Sequence, residues 1–107
     1  MKTQEYEGVL FTLGKNAIEN FEILDSANPE HYFFHLSSFS SGYVCAHSDV
    51  LTPAHIMFAA EFCKSGTKLR TCKDIKVDYC KFSNLIKGDE LGVVIFKSKR
   101  KVSTIKV

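Results

Sequence analysis

Glu61 is the residue whose setting most clearly calls for chemistry. It lies in the run Ala54, His55, Ile56, Met57, Phe58, Ala59, Ala60, Glu61, Phe62, Cys63 and Lys64, and burying a carboxylate among such neighbours is costly unless it is paired, hydrogen-bonded or protonated. At about 100° per residue it shares a helical face with Ala54, Met57 and Phe58. A carboxylate so placed could activate water as a general base; it could equally reach a solvent channel or pair with Lys64 one turn on. His55, in the first turn of the same helix, could donate to a carbonyl or a water, or simply pack. Ser48 and Asp49 precede the helix, where they could cap it, line a site or form a plain turn, so Asp49 ranks behind Glu61 and His55 as a catalytic candidate.

Other reactive types are present without a signature. His31 and His35 fall on one face of a strand or a helix, and His47 stands two after Cys45. No H-E-x-x-H or paired C-x-x-C spacing accompanies them, so no metal is expected. Cys45, Cys63, Cys72 and Cys80 are widely spaced and read as small apolar residues in a reducing compartment. The absence of a G-x-S-x-G elbow, a P-loop and a dinucleotide fingerprint argues against those enzyme classes.

The elements that must position these residues are signed unevenly. Thr52 suits an N-cap, Pro53 the first helical position and Gly66 a left-handed C-cap, which predicts a helix between them. Its circumference is apolar nearly all round, so it is expected to be enclosed by protein. Cys72 to Phe82 reads as a strand whose alternation slips at Tyr79 and Cys80, predicting a bulge. Gly88-Asp89 marks a turn, Leu91 to Phe96 is a short continuous apolar run, Ser98 to Lys101 a basic turn and Val102 to Val107 is strand-like again, making with the strand from Cys72 a meander of three strands. Upstream, Tyr6 to Leu13 and Ala17 to Leu24 are strands or a short helix, Ser26 to Pro29 a turn and Tyr32 to Leu36 a strand. Ser37 to Ser48 is a loop with room for a short strand.

The chain has 107 residues, 45% hydrophobic and 24% charged, the balance of one domain with one modest core. Its formal net charge of +2 is too small for a nucleic-acid footprint. No apolar run is long enough to cross a membrane, and the acidic start, Met-Lys-Thr-Gln-Glu-Tyr-Glu, is unlike a signal peptide, so a cytoplasmic protein is expected.

Strands, one buried helix, then antiparallel strands is an order that resembles the hotdog fold of acyl-CoA thioesterases and dehydratases. The resemblance runs from about Asn20 to Val107 and is sharpest at Thr52-Pro53-Ala54-His55-Ile56-Met57-Phe58-Ala59-Ala60-Glu61, with Ile75-Lys76-Val77-Asp78-Tyr79, Lys87-Gly88-Asp89-Glu90-Leu91 and the terminal strand following. Many of these thioesterases open the helix with His-Gly-Gly and carry an acidic residue seven positions after the second Gly; Glu61 stands seven after Ala54. Thr52, Pro53 and Ala54 occupy the His-Gly-Gly positions, and Pro53 offers no N–H to a thioester carbonyl, although Ala54 and His55 can.

The resemblance implies an α+β hotdog domain over 1–107, a curved antiparallel β-sheet wrapped around a central α-helix at about 53–65. The first fifteen or so residues would add a strand or helix, and the last strand, lacking a closing turn, fits either a trimmed chain or a strand that ends the domain. It implies an acyl-CoA-binding protein of fatty acid metabolism, a homodimer or a tetramer, with the acyl thioester at the subunit interface. No cofactor is required beyond coenzyme A or acyl-CoA as ligand, and neither nucleic acid nor membrane is a partner. If it is a thioesterase, Glu61 is general base or nucleophile, and Thr52, Ala54, His55, Phe58 and Phe62 line the ligand. Lys99, Arg100 and Lys101 would cradle the coenzyme A phosphates, unless they are only a solvated turn. The missing His-Gly-Gly favours the alternative, a non-catalytic ligand-sensing or regulatory module.

Overall fold

The computed structural model describes residues 1–91 and 93–107. Strands β1 (Lys2–Tyr6) and β2 (Val9–Leu13) form a hairpin whose turn, Glu7-Gly8, has φ of 46° and 80°. That left-handed pair suits the twist of the two strands, and Gly8 adopts it without steric cost. Helix α1 (Ala17–Ser26) follows, capped by the Asn16 side chain accepting from the Glu19 N–H at 2.9 Å. Next come β3 (Tyr32–Leu36), β4 (Val44–Ala46), α2 (Pro53–Ser65) and β5 (Lys76–Lys81). The short strands β6 (Leu85–Lys87) and β7 (Val94–Phe96) make a separate hairpin, and β8 (Ser103–Lys106) ends the order.

Six strands form one antiparallel sheet in the order β1-β2-β4-β3-β5-β8. Successive strand residues point to opposite faces, and here both faces are covered. One face meets α2: Phe11, Leu13, Phe34, Leu36, Val44 and Val77 bury against Ala59, Ala60, Phe62 and Cys63. The other carries Phe33, Tyr43, Cys45, Cys80 and Phe82, covered by Ile23 of α1 and by Leu85, Val94 and Phe96 of the hairpin. Lys87 holds the hairpin to α1, paired with Asp25 and lying 4.9 Å from the centre of the Phe21 ring.

The hotdog expectation is therefore corrected: α2 packs on one face of the six-stranded sheet, with its outer side left in solvent rather than wrapped by the sheet. Its outward residues Pro53, Ala54, Met57, Glu61 and Ser65 are exposed, at the spacing of one helical stripe. The expected bulge is corrected too, because β3 and β5 pair without interruption from Tyr32↔Lys81 to Leu36↔Val77. The apolar set changes phase because Val77 serves the α2 face and Cys80 the α1 face. Nor do the last strands form a meander, since β8 returns directly to β5.

The helix ends are as expected in place but not in kind. Thr52 caps α2, accepting from the His55 N–H at 3.2 Å, and Gly66 follows its last turn with φ −84°, outside the left-handed region. Thr67 makes a left-handed residue unnecessary, since its N–H and its hydroxyl both donate to the Lys64 carbonyl, at 3.0 and 2.8 Å. Among the described residues no helix is long and apolar enough to cross a membrane.

Two substitutions distinguish a helix packed on one side from an enclosed one. Phe34→Ala removes a fully buried ring and is expected to cost about 3–5 kcal/mol, while Met57→Ala on the outward stripe stays within about 0.5 kcal/mol of the parent. Urea denaturation measures both, and a comparable loss at Met57 would contradict the exposed stripe.

Candidate functional site

The expected site residues do not converge. Glu61 is exposed, with its carboxylate 3.9 Å from the Lys64 ammonium, and Lys64 also donates to the Cys72 carbonyl at 2.8 Å. His55 faces inward and is committed to the fold. Its Nδ1 accepts from the Thr52 N–H at 3.1 Å, which leaves Nε2 to donate to the Glu7 carbonyl at 2.9 Å. Thr52 and His55 thus form a reciprocal cap that also ties α2 to the β1–β2 turn. Phe58 stacks on Tyr6 at 4.5 Å and leans on Phe11 and Phe62, filling the space between α2 and β2. Asp49 is exposed in the loop before α2, and Ala54 is exposed on the outward stripe. Lys99, Arg100 and Lys101 form an exposed 3-10 turn between β7 and β8; Lys101 borders a smaller cavity of about 540 Å³ beside Tyr32, Ile56 and Tyr79.

The main concavity lies elsewhere, a cleft of about 1090 Å³ assembled from four segments. Lys15, Asn16 and Asn20 come from the start of α1, and His35 from β3. The loop Ser37 to Gly42 joins β3 to β4, and Thr67, Lys68 and Leu69 follow α2. Leu91 and Val93 of the β6–β7 loop stand at its mouth.

The loop's shape comes from its own residues. Ser37 donates its hydroxyl to Asp78 Oδ1 at 2.7 Å and its N–H to the Lys76 carbonyl at 2.9 Å, anchoring one end to β5. Ser41 Oγ accepts from the Leu36 N–H at 3.2 Å, and the Tyr43 N–H donates to buried Asn20 Oδ1 at 2.9 Å. Position 42 must be glycine, because any Cβ there would collide with the carbonyl of Gly14. Ser38, Phe39 and Ser40 are left exposed at the loop tip.

The lining of the cleft includes Lys15 and Lys68, several hydroxyls and no carboxylate, with Asp78 behind Ser37 and Glu19 beside Lys15. Neither lysine makes an ion pair among the described residues. His35 stacks on Phe33 and meets Tyr43 edge-on at 5.3 Å. Burial holds its pKa below the ordinary 6.5, against the opposing pull of a Leu36 backbone hydrogen bond and the Asp78 charge, so it is mainly neutral at pH 7. Burial likewise raises Tyr43.

Sequence reasoning weighed His35 only as a metal ligand and passed over Lys15, Lys68 and the tip of the serine loop as a site. The density of serine between Ser37 and Ser48 was the available signal. Cys63 and Cys80 are buried as small apolar residues would be, with burial pushing each thiol up to about 11; burial pushes Cys45 up to about 12, and Cys72 is exposed, against the expectation.

No family model matches the chain, and no curated protein matches it either. Among solved structures it is similar to the C-terminal part of the fibronectin/fibrinogen-binding protein from Streptococcus suis, with a TM-score of 0.87 and 22% identity. The match covers 98% of this chain and 43% of that one, so the chain spans less than half the length of its neighbour. At that identity the likeness is one of fold, and none of the comparisons points to a hotdog protein.

The neutral imidazole gives stability a pH dependence. A histidine with a depressed folded pKa leaves the unfolded chain to take up the proton first, so stability held at neutral pH is lost as pH falls from about 6.5 through the lower folded value. His47, lowered by burial and by the charge of His31, adds in the same direction. His35→Gln is therefore expected to flatten the fall in unfolding free energy between about pH 7 and 5, by at most about 1.4 kcal/mol per pH unit. Urea titrations across that range would show it, and an unchanged slope would remove His35 from the account.

Proposed function

We propose that this domain is a binding module that receives a phosphate-bearing ligand in the cleft beneath the serine loop, holding it rather than transforming it. The observation that carries this reading is the lining itself, which holds two exposed lysines, Lys15 and Lys68, without an ion pair among the described residues and no carboxylate; the nearby Glu19 carboxylate is engaged by the Lys15 N–H and the N-terminal ammonium. The exposed hydroxyls of Ser38 and Ser40 supply neutral donors beside the two cations. At the mouth, Phe39, Leu91 and Val93 are 51%, 58% and 42% exposed, a surface for a planar or apolar group next to the charge. A nucleotide has that division, and so does the nucleotide end of coenzyme A, which keeps acyl-CoA within the ligand class. The acyl-thioester reading loses the enclosed helix on which it was built.

Binding is preferred to catalysis because no hydrogen bond links His35 to a serine hydroxyl of the cleft among the described residues, as activation of a serine nucleophile would need. Four free thiols suit a reducing cytoplasm. A protein ligand is the second reading, favoured by the exposed Phe39 and Leu91 and by the description of the structural neighbour as fibronectin/fibrinogen-binding.

Calorimetric titration with ADP and with coenzyme A tests the proposal. Truncating either lysine is expected to weaken binding about tenfold, so the Lys15→Ala, Lys68→Ala double variant should bind far more weakly and with a shallower salt dependence. Replacing Lys99, Arg100 and Lys101 with Ala is expected to leave affinity unchanged. The opposite pattern would move the phosphate site to the basic turn, and no binding of either compound by the parent would overturn the reading.

A further inference from the structure

On the α1 face, at the end of the β3–β4 pair away from the serine loop, three potential metal ligands converge. The register pairs Tyr32 with Ala46 and Phe33 with Cys45, so His31, just before β3, lies across from His47, just after β4. Cys45 stands two residues before His47, on the same face of the strand. One ring nitrogen of each histidine and the Cys45 sulfur all lie within 4.8 Å of one another.

A second observation is independent of that spacing. Among the described residues, His31 Nδ1 is the buried side-chain nitrogen or oxygen without a hydrogen-bond partner. Such an atom carries an uncompensated desolvation penalty, which a bound cation would remove. The neighbouring ring is held differently: His47 Nε2 lies 2.8 Å from Thr12 Oγ1, and Thr12 pairs across the ladder with Cys45. Nδ1 is thus the ring atom His47 has left for a metal, and the threonine hydroxyl orients the imidazole as outer-sphere partners of zinc ligands commonly do.

We propose that His31, Cys45 and His47 form a binding site for a borderline-soft divalent cation, zinc in the first place. Two imidazoles and a thiolate suit zinc, whereas magnesium and calcium require oxygen ligands that this cluster does not offer. Tetrahedral zinc places its ligands roughly 3.3–3.8 Å apart. A displacement of the exposed His47 side chain that keeps its Thr12 contact supplies the contraction required. On binding, the Cys45 S–H bond breaks, its proton leaves to solvent and the sulfur–metal bond forms; water takes the fourth position beside His47. The inference stands apart from the phosphate reading, since none of the three residues lines the cleft.

The test uses the full chain stripped with a chelator and titrated with Zn2+, then with Co2+ as a spectroscopic substitute. One ion per chain, a raised melting temperature and a thiolate-to-cobalt charge-transfer band are expected. Cys45→Ser and His47→Asn should each weaken Zn2+ binding by more than about 100-fold, beyond the usual effect of an outer-sphere change, while Cys72→Ser, at an exposed thiol, leaves it intact. The cobalt spectrum of the parent keeps the question open to refutation even if a variant fails to fold. No Zn2+ binding by the parent, a cobalt complex without the thiolate band, or undiminished affinity in a folded Cys45→Ser protein would each overturn the site.

Discussion

Phe33 and Phe34 are adjacent in β3, point to opposite faces of the sheet and are both fully buried. With β4 on one side and β5 on the other, β3 sits where the sheet has no wet face, so both sides must be roofed before either ring is removed from water. On Phe34's side the small residues Ala59, Ala60 and Cys63 let α2 lie close to the strands. On Phe33's side no long helix is available. The roof is made from the shorter α1 and a two-stranded hairpin, joined by Lys87 to Asp25 and Phe21. The cleft opens between parts of that composite roof: the start of α1, the serine loop and the loop of the hairpin.

Local chemistry made some elements legible. Thr52 and Pro53 announce the start of α2, Gly88-Asp89 the hairpin loop, and the aromatic run Tyr32 to Leu36 is β3 itself. The architecture is misread when apolar composition is equated with enclosure. Ala54 and Met57 count as apolar yet rest in water at little cost, so the outer stripe of α2 carried too weak a polar signal. Glu61 belongs to that stripe, and its carboxylate marked the wet side of the helix rather than an anomaly inside it. The slip at Tyr79 and Cys80 was likewise the trace of a sheet covered on both faces, where neither set of alternate residues need be polar.

The candidate sites were less legible because they are products of pairing. Lys15, the neighbours His35 and Ser37, and Lys68 are distant in sequence and meet only once α1, β3 and the end of α2 are placed. Cys45 and His47 advertise a shared face by their spacing of two. The third ligand, His31, becomes visible only through the antiparallel register that sets residue 31 opposite residue 47. Even β4, three residues long within a serine-rich stretch, is too short for periodicity to reveal.

One face of β3 carries His31, Phe33 and His35 in succession, so the metal cluster and the cleft share a strand with a phenylalanine between them. The Phe33 ring, which separates the two histidines along the strand, is enclosed by Tyr43, Phe82 and Phe96 at 4.9, 5.8 and 6.4 Å. The mechanical relation is closer. The β3–β4 ladder has paired positions only at Tyr32↔Ala46, Phe33↔Cys45 and Phe34↔Val44, and the serine loop closes one end of it. A cation joining His31 to Cys45 and His47 would clasp the other end. The loop that shapes the cleft would then hang from a ladder fastened at both ends, whose register a slip of one residue would ruin by turning Phe33 and Cys45 to the wrong face.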